Sequence, residues 1–381
     1  MKQKASVLIR GLLLLIFLLL IRGMPTWGRG FPDYFIFLNK LVLSDSALKF
    51  GEMRSIDLDS AGRIFGIDSR TDELKIFSAY GLAEKTVLPP GKNKGGQSHY
   101  DVACWRTGFV WVAGEEILLY DAAGRMLKSF KQYNEADMKT SNQLEDLWGA
   151  NITRLDVDKT GMIVGAGVGF PTPYYLHTFD KNGKLVKEFY LLDPKYDHPD
   201  VFRNPSVDVD SLGDIWCTFP PLNRVSHYGM NGTFKNDVVI KSPLYKSPES
   251  ARGPRAAKEW LKWLATWTPV VQCAATQSGY VITALLAGDR GKPLMPPNNL
   301  GGTWYKGGFF VDIYDRQGNL IAGGLHTPHR FLTVDNKDYM WFDLCNGTPE
   351  NPSKTGPIVL GKFRLNLKPV TVKTVVSGQE R

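Results

Sequence analysis

Apolar and polar residues alternate along most of this chain in short runs, and each run breaks at a polar corner carrying Asp, Asn or Gly. The stretch from Ile56 to Leu82, IDLDSAGRIFGIDSRTDELKIFSAYGL, shows the unit in full. An apolar strand runs into Asp59-Ser-Ala-Gly62, a second covers Ile64 to Asp68, and a third, Leu74-Lys-Ile-Phe77, ends at Gly81. Period-two alternation rich in β-branched and aromatic residues predicts strands of ordinary length. Asp or Asn at a corner offers a side-chain oxygen to the next amides, and Gly accepts the positive φ that antiparallel hairpins need. The first corner recurs as Trp105-Arg-Thr-Gly108, Asp158-Lys-Thr-Gly161, Asp210-Ser-Leu-Gly213, Thr276-Gln-Ser-Gly279 and Asp335-Asn-Lys-Asp338. The second, aromatic-led corner recurs as Tyr120-Asp-Ala-Ala-Gly124, Phe179-Asp-Lys-Asn-Gly183, Tyr228-Gly-Met-Asn-Gly232 and Tyr314-Asp-Arg-Gln-Gly318, with a degraded copy at Phe363-Arg-Leu-Asn366.

A unit of about 50 residues, built of short strands and returning six times, predicts radial blades. One blade cannot bury both faces of its sheet, whereas a ring of blades covers every face and leaves only short edges. The expected fold is all-β: a six-bladed β-propeller of four-stranded antiparallel blades, near 51–91, 98–133, 150–194, 203–242, 269–325 and 326–376. A seven-bladed ring or a two-domain β arrangement is compatible with the same strands. The first blade resembles the NHL-type six-bladed β-propeller repeat, with an apolar strand, a D-x-x-G turn, a strand ending in Asp and an aromatic-x-x-x-Gly turn. That resemblance extends over most of residues 50 to 370, and both turns are well kept in the blades at 51–91, 150–194 and 203–242. These motifs are structural, so they imply an architecture and leave the activity open. Two closures of the ring are open. Within segment 29–50, Tyr34-Phe-Ile-Phe-Leu38 can lend a strand to the last blade, or Val370-Thr-Val-Lys-Thr-Val375 can complete that blade alone.

Composition changes the picture in two places. The net charge of +8 hints at nucleic acid, but the first 28 residues hold Lys2, Lys4, Arg10 and Arg22. Without them, 42 of the 46 basic residues face 38 acidic ones, and no basic block of nucleic-acid type remains. Nucleic acid is therefore not an expected partner. Lys2, Lys4 and Arg10 precede the uncharged run Gly11-Leu-Leu-Leu-Leu-Ile-Phe-Leu-Leu-Leu-Ile21, which Arg22 closes. That length suits the core of a secretory signal within residues 1–28 and is short for a membrane span. Thr26-Trp27-Gly28 offers small residues for cleavage, and an uncleaved membrane tether through residues 7–21 is the alternative. Both readings put the propeller outside the cytoplasm, periplasmic or secreted. Cys104, Cys217, Cys273 and Cys345 fall in different blades, and buried thiols are favoured over two disulfides.

In a propeller the starts of the innermost strands crowd around one axis. Counting back 7 to 10 positions from each first corner yields Glu52 and Arg54, His99 and Asp101, Asn151 and Arg154, Arg203 and Asn204, Gln272, and His329 with Arg330. Carboxylates, amides and a His of this kind can hold Ca²⁺ or another divalent cation. Propeller lactonases and related hydrolases hold a metal with Glu, Asn and Asp, which this resemblance would map onto Glu52, Asn151, Asn204 and Asp101. The bland account has these groups satisfying one another around a hydrated channel, and no cofactor is firmly implied. His326-Thr-Pro-His329 is an H-x-x-H, yet Pro328 argues against a helix, and on a strand the two rings point to opposite faces. No G-x-S-x-G and no phosphate-cradling Gly loop before a helix is present.

Three insertions leave the blade pattern, at 134–149, 244–267 and 289–308. The second carries Trp260, Leu264 and Trp267 at helical spacing, with Leu261 and Trp263 widening the stripe, and predicts a short amphipathic helix near 250–267. Such a stripe most often caps a core; here it is also the candidate partner-binding face. The expectation is an exported propeller that binds a protein partner or a small-molecule ligand at its channel mouth, with no catalysis assigned. The alternative is a metal-dependent, lactonase-like hydrolase or lyase with a divalent cation in the channel.

Overall fold

A computed structural model describes residues 30–43, 53–68, 71–88, 99–114, 116–132, 152–167, 174–191, 205–242, 244–248, 267–286, 308–344 and 358–367. The corners divide the chain into six four-stranded antiparallel sheets. The first holds β2 (Met53–Leu58), β3 (Ile64–Asp68), β4 (Glu73–Phe77) and β5 (Ala83–Val87), and the second β6 (His99–Trp105), β7 (Gly108–Ala113), β8 (Glu116–Asp121) and β9 (Met126–Lys131). The third holds β10 (Ile152–Val157), β11 (Ile163–Gly167), β12 (Tyr174–Phe179) and β13 (Leu185–Leu191). The fourth holds β14 (Ser206–Val209), β15 (Asp214–Thr218), β16 (Arg224–Gly229) and β17 (Phe234–Val239). The fifth is β18 (Val270–Ala275), β19 (Tyr280–Leu286), β20 (Phe309–Asp315) and β21 (Leu320–Thr327). These sheets are the blades of a six-bladed β-propeller.

The sixth blade draws on both ends of the described chain. β22 (Arg330–Val334), β23 (Tyr339–Asp343) and β24 (Ile358–Leu365) take their fourth strand from β1 (Phe35–Leu43), which runs antiparallel to β24 from Phe35↔Leu365 to Leu43↔Ile358. Ahead of it, the one-turn helix α1 (Phe31–Tyr34) stacks the Phe31 ring on Phe35 at 4.4 Å and sets it edge-on to Phe342 at 5.3 Å. The N-terminal closure is thus the observed one; Val370 to Val375 lie outside the described residues.

The core is a set of layers between blades. Ile64, Phe77, Leu332 and Trp341 fill the seam of blades six and one, and Phe65, Leu74, Phe109 and Trp111 that of one and two. Val110, Ile117, Ile163 and Phe179 fill the next, followed by Val164, Leu176, Ile215 and Phe219, then Trp216, Cys273 and Tyr314. Ile282, Ile313, Phe331 and Phe342 complete the ring. Each sheet is apolar on both faces because each face meets a neighbour. Cys217 and Cys273 are buried free thiols within these layers, and Cys104 is free and half-buried. Burial pushes the Cys217 thiol well up, with Cys273 and Asp237 adding to the shift.

Corner chemistry explains the register. Asp158 Oδ1 accepts from the Thr160 and Met162 amides at 2.8 and 2.9 Å, and Asp210 Oδ1 does the same for Leu212 and Asp214. The corner of the second blade departs from this pattern. Trp105 pairs directly with Gly108, so only Arg106 and Thr107 form the loop, and Gly108 is required by close approach: a Cβ there would meet the Tyr120 carbonyl oxygen at 2.0 Å. In the sixth, Asp338 takes the left-handed conformation at φ 60° where the others use Gly. Its carboxylate accepts the Gln277 and Ser278 amides of the preceding blade at 2.5 and 2.7 Å.

Candidate functional site: the axial channel

The innermost strand of each blade is a sheet edge, so alternate amides lack a partner within their own blade. These edges surround an axial cavity of about 460 Å³ to which all six blades contribute lining residues. The edge amides are claimed by side chains of the preceding blade. Asp57 Oδ2 accepts the Cys104 N–H at 2.6 Å, Asp101 Oδ2 the Leu155 N–H at 3.0 Å, Asp156 Oδ2 the Val209 N–H at 2.5 Å and Asp208 Oδ2 the Ala275 N–H at 2.8 Å. Ser206 Oγ accepts the Cys273 N–H at 2.9 Å, and Gln272 Nε2 donates to the Leu332 carbonyl at 3.1 Å. Ser55 Oγ donates to Asp101 Oδ1. Blade is clasped to blade by polar groups, and all of these but Ser206 also line the channel.

The position of these groups follows from the corners. The motif D-x-D-x-x-G occurs at Asp57/Asp59, Asp156/Asp158 and Asp208/Asp210. The second Asp folds the corner; the first, two residues earlier, sits on the edge strand. Asp57, Asp156 and Asp208 therefore lie at one level of the axis, five residues before their corner glycines. Burial raises Asp57 to about 7, with nearby Asp101 and Asp208 pushing the same way against the Cys104 and Leu58 amides. Burial also raises Asp208 to about 7, although the Ala275 amide pulls it down. Asp156 stands well above its ordinary value because of burial and the charges of Asp208 and Asp57. Asp101 is raised by burial, with the Arg154 guanidinium opposing.

Of the residues that spacing singles out, Asp101, Arg154, Gln272 and Arg330 line the cavity. Glu52, Asn151, Arg203 and Asn204 lie outside the described residues, as do the side chains of Arg54 and His99. His329 is not among the lining residues. It precedes β22, burial lowers its pKa, and the Asp343 charge opposes that shift. His326 sits in β21, at the other edge of blade five, with its ring 5.4 Å from Phe310. Trp260 and Trp263 lie outside the described residues. Trp267 is 2 % exposed and packs with Tyr190, Phe219 and Leu222, which withdraws it from the partner-facing candidates. Counting back 7 to 10 positions missed Asp57, Asp156 and Asp208, although the doubled Asp of their corner motif marks them.

For a divalent cation, donor oxygens must converge on one point at about 2.3 to 2.6 Å. Among the described residues, the only such gathering of His, Cys, Asp and Glu is Asp210, Asp214 and His227 in the fourth blade. Its acceptors are already matched by cations and donors. Arg316 reaches Asp210 Oδ2 at 2.9 Å, Trp216 Nε1 donates to the same oxygen at 2.9 Å, and Lys235 Nζ meets Asp214 Oδ1 at 2.5 Å. His227 lies 3.2 Å from Asp214 and stacks on Trp216 at 3.8 Å. Burial alone would raise Asp214, but its bonds to His227 and Lys235 hold it at about 2. This cluster is an ion-pair network between blades and does not fit a metal. The described channel carboxylates form no gathering of that kind.

No family model matches the sequence, and no curated relative matches it. Solved structures do match. A member of the DUF4221 family from Bacteroides vulgatus is 11% identical with a TM-score of 0.59, covering 88% of this chain and 98% of its own. A suspected exported protein from Bacteroides fragilis is 8% identical with a TM-score of 0.55, covering 89% and 98%. A gluconolactonase from Xanthomonas campestris is 12% identical with a TM-score of 0.50, covering 88% and 91%. At these identities the likeness is one of fold, and the propeller is the level at which the chain is placed.

Proposed function

We propose that this chain is an exported propeller that binds a small polar ligand in its axial channel. The observation that carries the reading is the 460 Å³ cavity, lined by carboxylates and by Arg154, Gln272 and Arg330 from separate blades. Volumes of 300 to 1,000 Å³ are typical of small-molecule sites. Arg154 Nη1 donates to the Thr153 carbonyl at 3.1 Å, and its charge opposes the rise in the Asp101 pKa. Lys2, Lys4, Arg10 and the apolar run Gly11 to Ile21 support export.

The test is a thermal-shift screen of small polar compounds against the purified protein, repeated on Arg330→Gln and Arg154→Gln. A compound at about 100 times its Kd adds about 2.7 kcal/mol to folded-state stability, which raises Tm by several degrees. The reading expects such compounds, and expects the shift to shrink in both variants. Shifts that persist in both variants would place the ligand elsewhere on the molecule.

A further inference from the structure

Neighbouring strands of a blade are antiparallel, so the turn between its first two strands and the turn between its last two fall at one end. Both series of corners therefore lie on one face of the ring, where bonds join successive blades. Arg63 Nη1 donates to the Ala122 carbonyl at 2.9 Å, and Lys159 Nζ to that of Ser211 at 3.4 Å. In the sixth blade the second corner is split between the two ends of the described chain. β1 starts beside Leu365, so Gly30 and α1 stand on the corner face, where the Asn366 N–H donates to the Tyr34 carbonyl at 2.9 Å.

This face exposes large apolar side chains. The outer strands of blades one to four each carry a bulge just after the second corner, and its extra residue leaves the ladder. In blades one and four that residue is Glu84 and Lys235, charged as water-facing sheet edges usually are. In blades two and three it is Leu127 and Val186, 62% and 51% exposed, each preceded by another exposed apolar residue, Met126 and Leu185. The two pairs share one surface: Lys128 Nζ donates to the Asn182 carbonyl at 2.5 Å across the seam, and Gly183 lies against Phe130. Tyr80 and Leu82 continue it on blade one, and Phe234 on blade four. At the other ends of the outer strands Val42, Leu88, Leu191 and Val239 are exposed singly, one to a blade, as is ordinary. Charge supports the same contact. The corner aspartates turn onto their own amides, as Asp121 Oδ1 does to those of Ala123 and Arg125. The fully exposed charges among the corners include Arg106, Lys159, Lys181, Lys184 and Lys337, with Asp33 and Glu84 the exposed carboxylates nearby.

From these placements we propose that the corner face docks on a phospholipid bilayer, with Leu127 and Val186 entering its interface and the exposed lysines meeting headgroup phosphates. The start of the described chain favours a bilayer over a protein partner. The apolar run that reads as a signal or tether ends at Ile21, and eight residues, 22–29, separate it from Gly30. Fully extended they reach at most about 28 Å. A bilayer that holds the run is therefore kept close to the face that carries Gly30. Apolar side chains interspersed with lysines are also what an interfacial membrane contact requires. Docked this way, the protein covers the channel end lined by Lys159, Ser211 and Asn336 and leaves open the mouth where the inner strands begin.

The experiment is hydroxyl-radical footprinting, read by mass spectrometry, of the purified full chain with and without phosphatidylcholine vesicles, at two protein concentrations. Flotation reports whether the chain is on the vesicles. The expected result is a severalfold drop in oxidation of Tyr80, Met126, Leu127, Leu185 and Phe234 on vesicles, with Leu88, Leu191 and Val239 unchanged. The double variant Leu127→Gln with Val186→Gln changes two exposed sites, and circular dichroism checks that it is folded. It should lose most of the protection at Tyr80 and Phe234. Vesicle-bound chain without protection at the corners, or with protection at the opposite end, overturns the proposal. So does a chain that stays off the vesicles, and so does protection that follows protein concentration without lipid, which marks a contact between copies.

Discussion

Two aspartates two residues apart do different work in this protein, and their difference is a matter of partners. Asp59, Asp158 and Asp210 each receive backbone amides in a tight corner, whereas Asp57, Asp156 and Asp208 each receive one amide across a seam and face other carboxyl groups. A carboxyl whose folded pKa lies above its unfolded value binds more protons when folded, so stability falls as pH rises between the two. For Asp57 and Asp208 that window runs from 3.8 to about 7. Asp214 has the opposite sign: held at about 2, its contribution is lost only as pH falls below 3.8. The expected outcome is a higher Tm at pH 5 than at pH 8, and a smaller difference in Asp208→Asn, which removes a repelling charge and keeps an acceptor. Thermal melts at the two pH values check this; an unchanged difference in Asp208→Asn would count against the assignment. At this scale the corner Asp residues were legible from D-x-x-G alone. The seam Asp residues were written just as openly in D-x-D-x-x-G, but their role depends on the neighbouring blade, which local spacing does not supply.

At the scale of elements, the blades were legible because each corner fixes its own hairpin through adjacent residues. Closure was not, because two apolar segments at opposite ends of the chain carry the same strand pattern and only their contacts separate them. Phe31 and Phe35 make those contacts, packing into the same layer as Phe331, Phe342 and Phe363. Phe37, two residues on, is 51% exposed. Phe35→Ala should therefore destabilise the protein by roughly 3 to 5 kcal/mol, the range for truncating a buried aromatic residue. Phe37→Ala should change it by less than about 1 kcal/mol. Urea unfolding of the two variants makes the comparison, and equal effects would show that the N-terminal strand is not fastened through its first turn. The shorter Trp105–Gly108 hairpin shows the limit of motif reading in the other direction. The sequence offers a corner glycine there, but its use is contact with Tyr120, where the other corner glycines supply a positive φ.

For the whole molecule, the ring brings six edge strands to one axis, and that convergence creates the site. Asp101, Arg154, Gln272 and Arg330 were readable as channel groups because the repeat supplies a register for every blade at once. The meeting of Asp57, Asp156 and Asp208 at one level was not, since it appears only when blades distant in sequence are set side by side. The ring also explains why basic and acidic groups can coexist in one cavity: Asp57, Asp101, Asp156 and Asp208 are each tied to a backbone amide of the next blade before any ligand arrives. The most direct measurement is a crystal structure of the protein with the tightest-binding small polar compound from the thermal-shift screen. The account predicts that compound on the axis, in contact with Asp57, Asp156 or Asp208 and with Arg154 or Arg330. The same compound bound on the outer face, with the channel lining untouched, would contradict it.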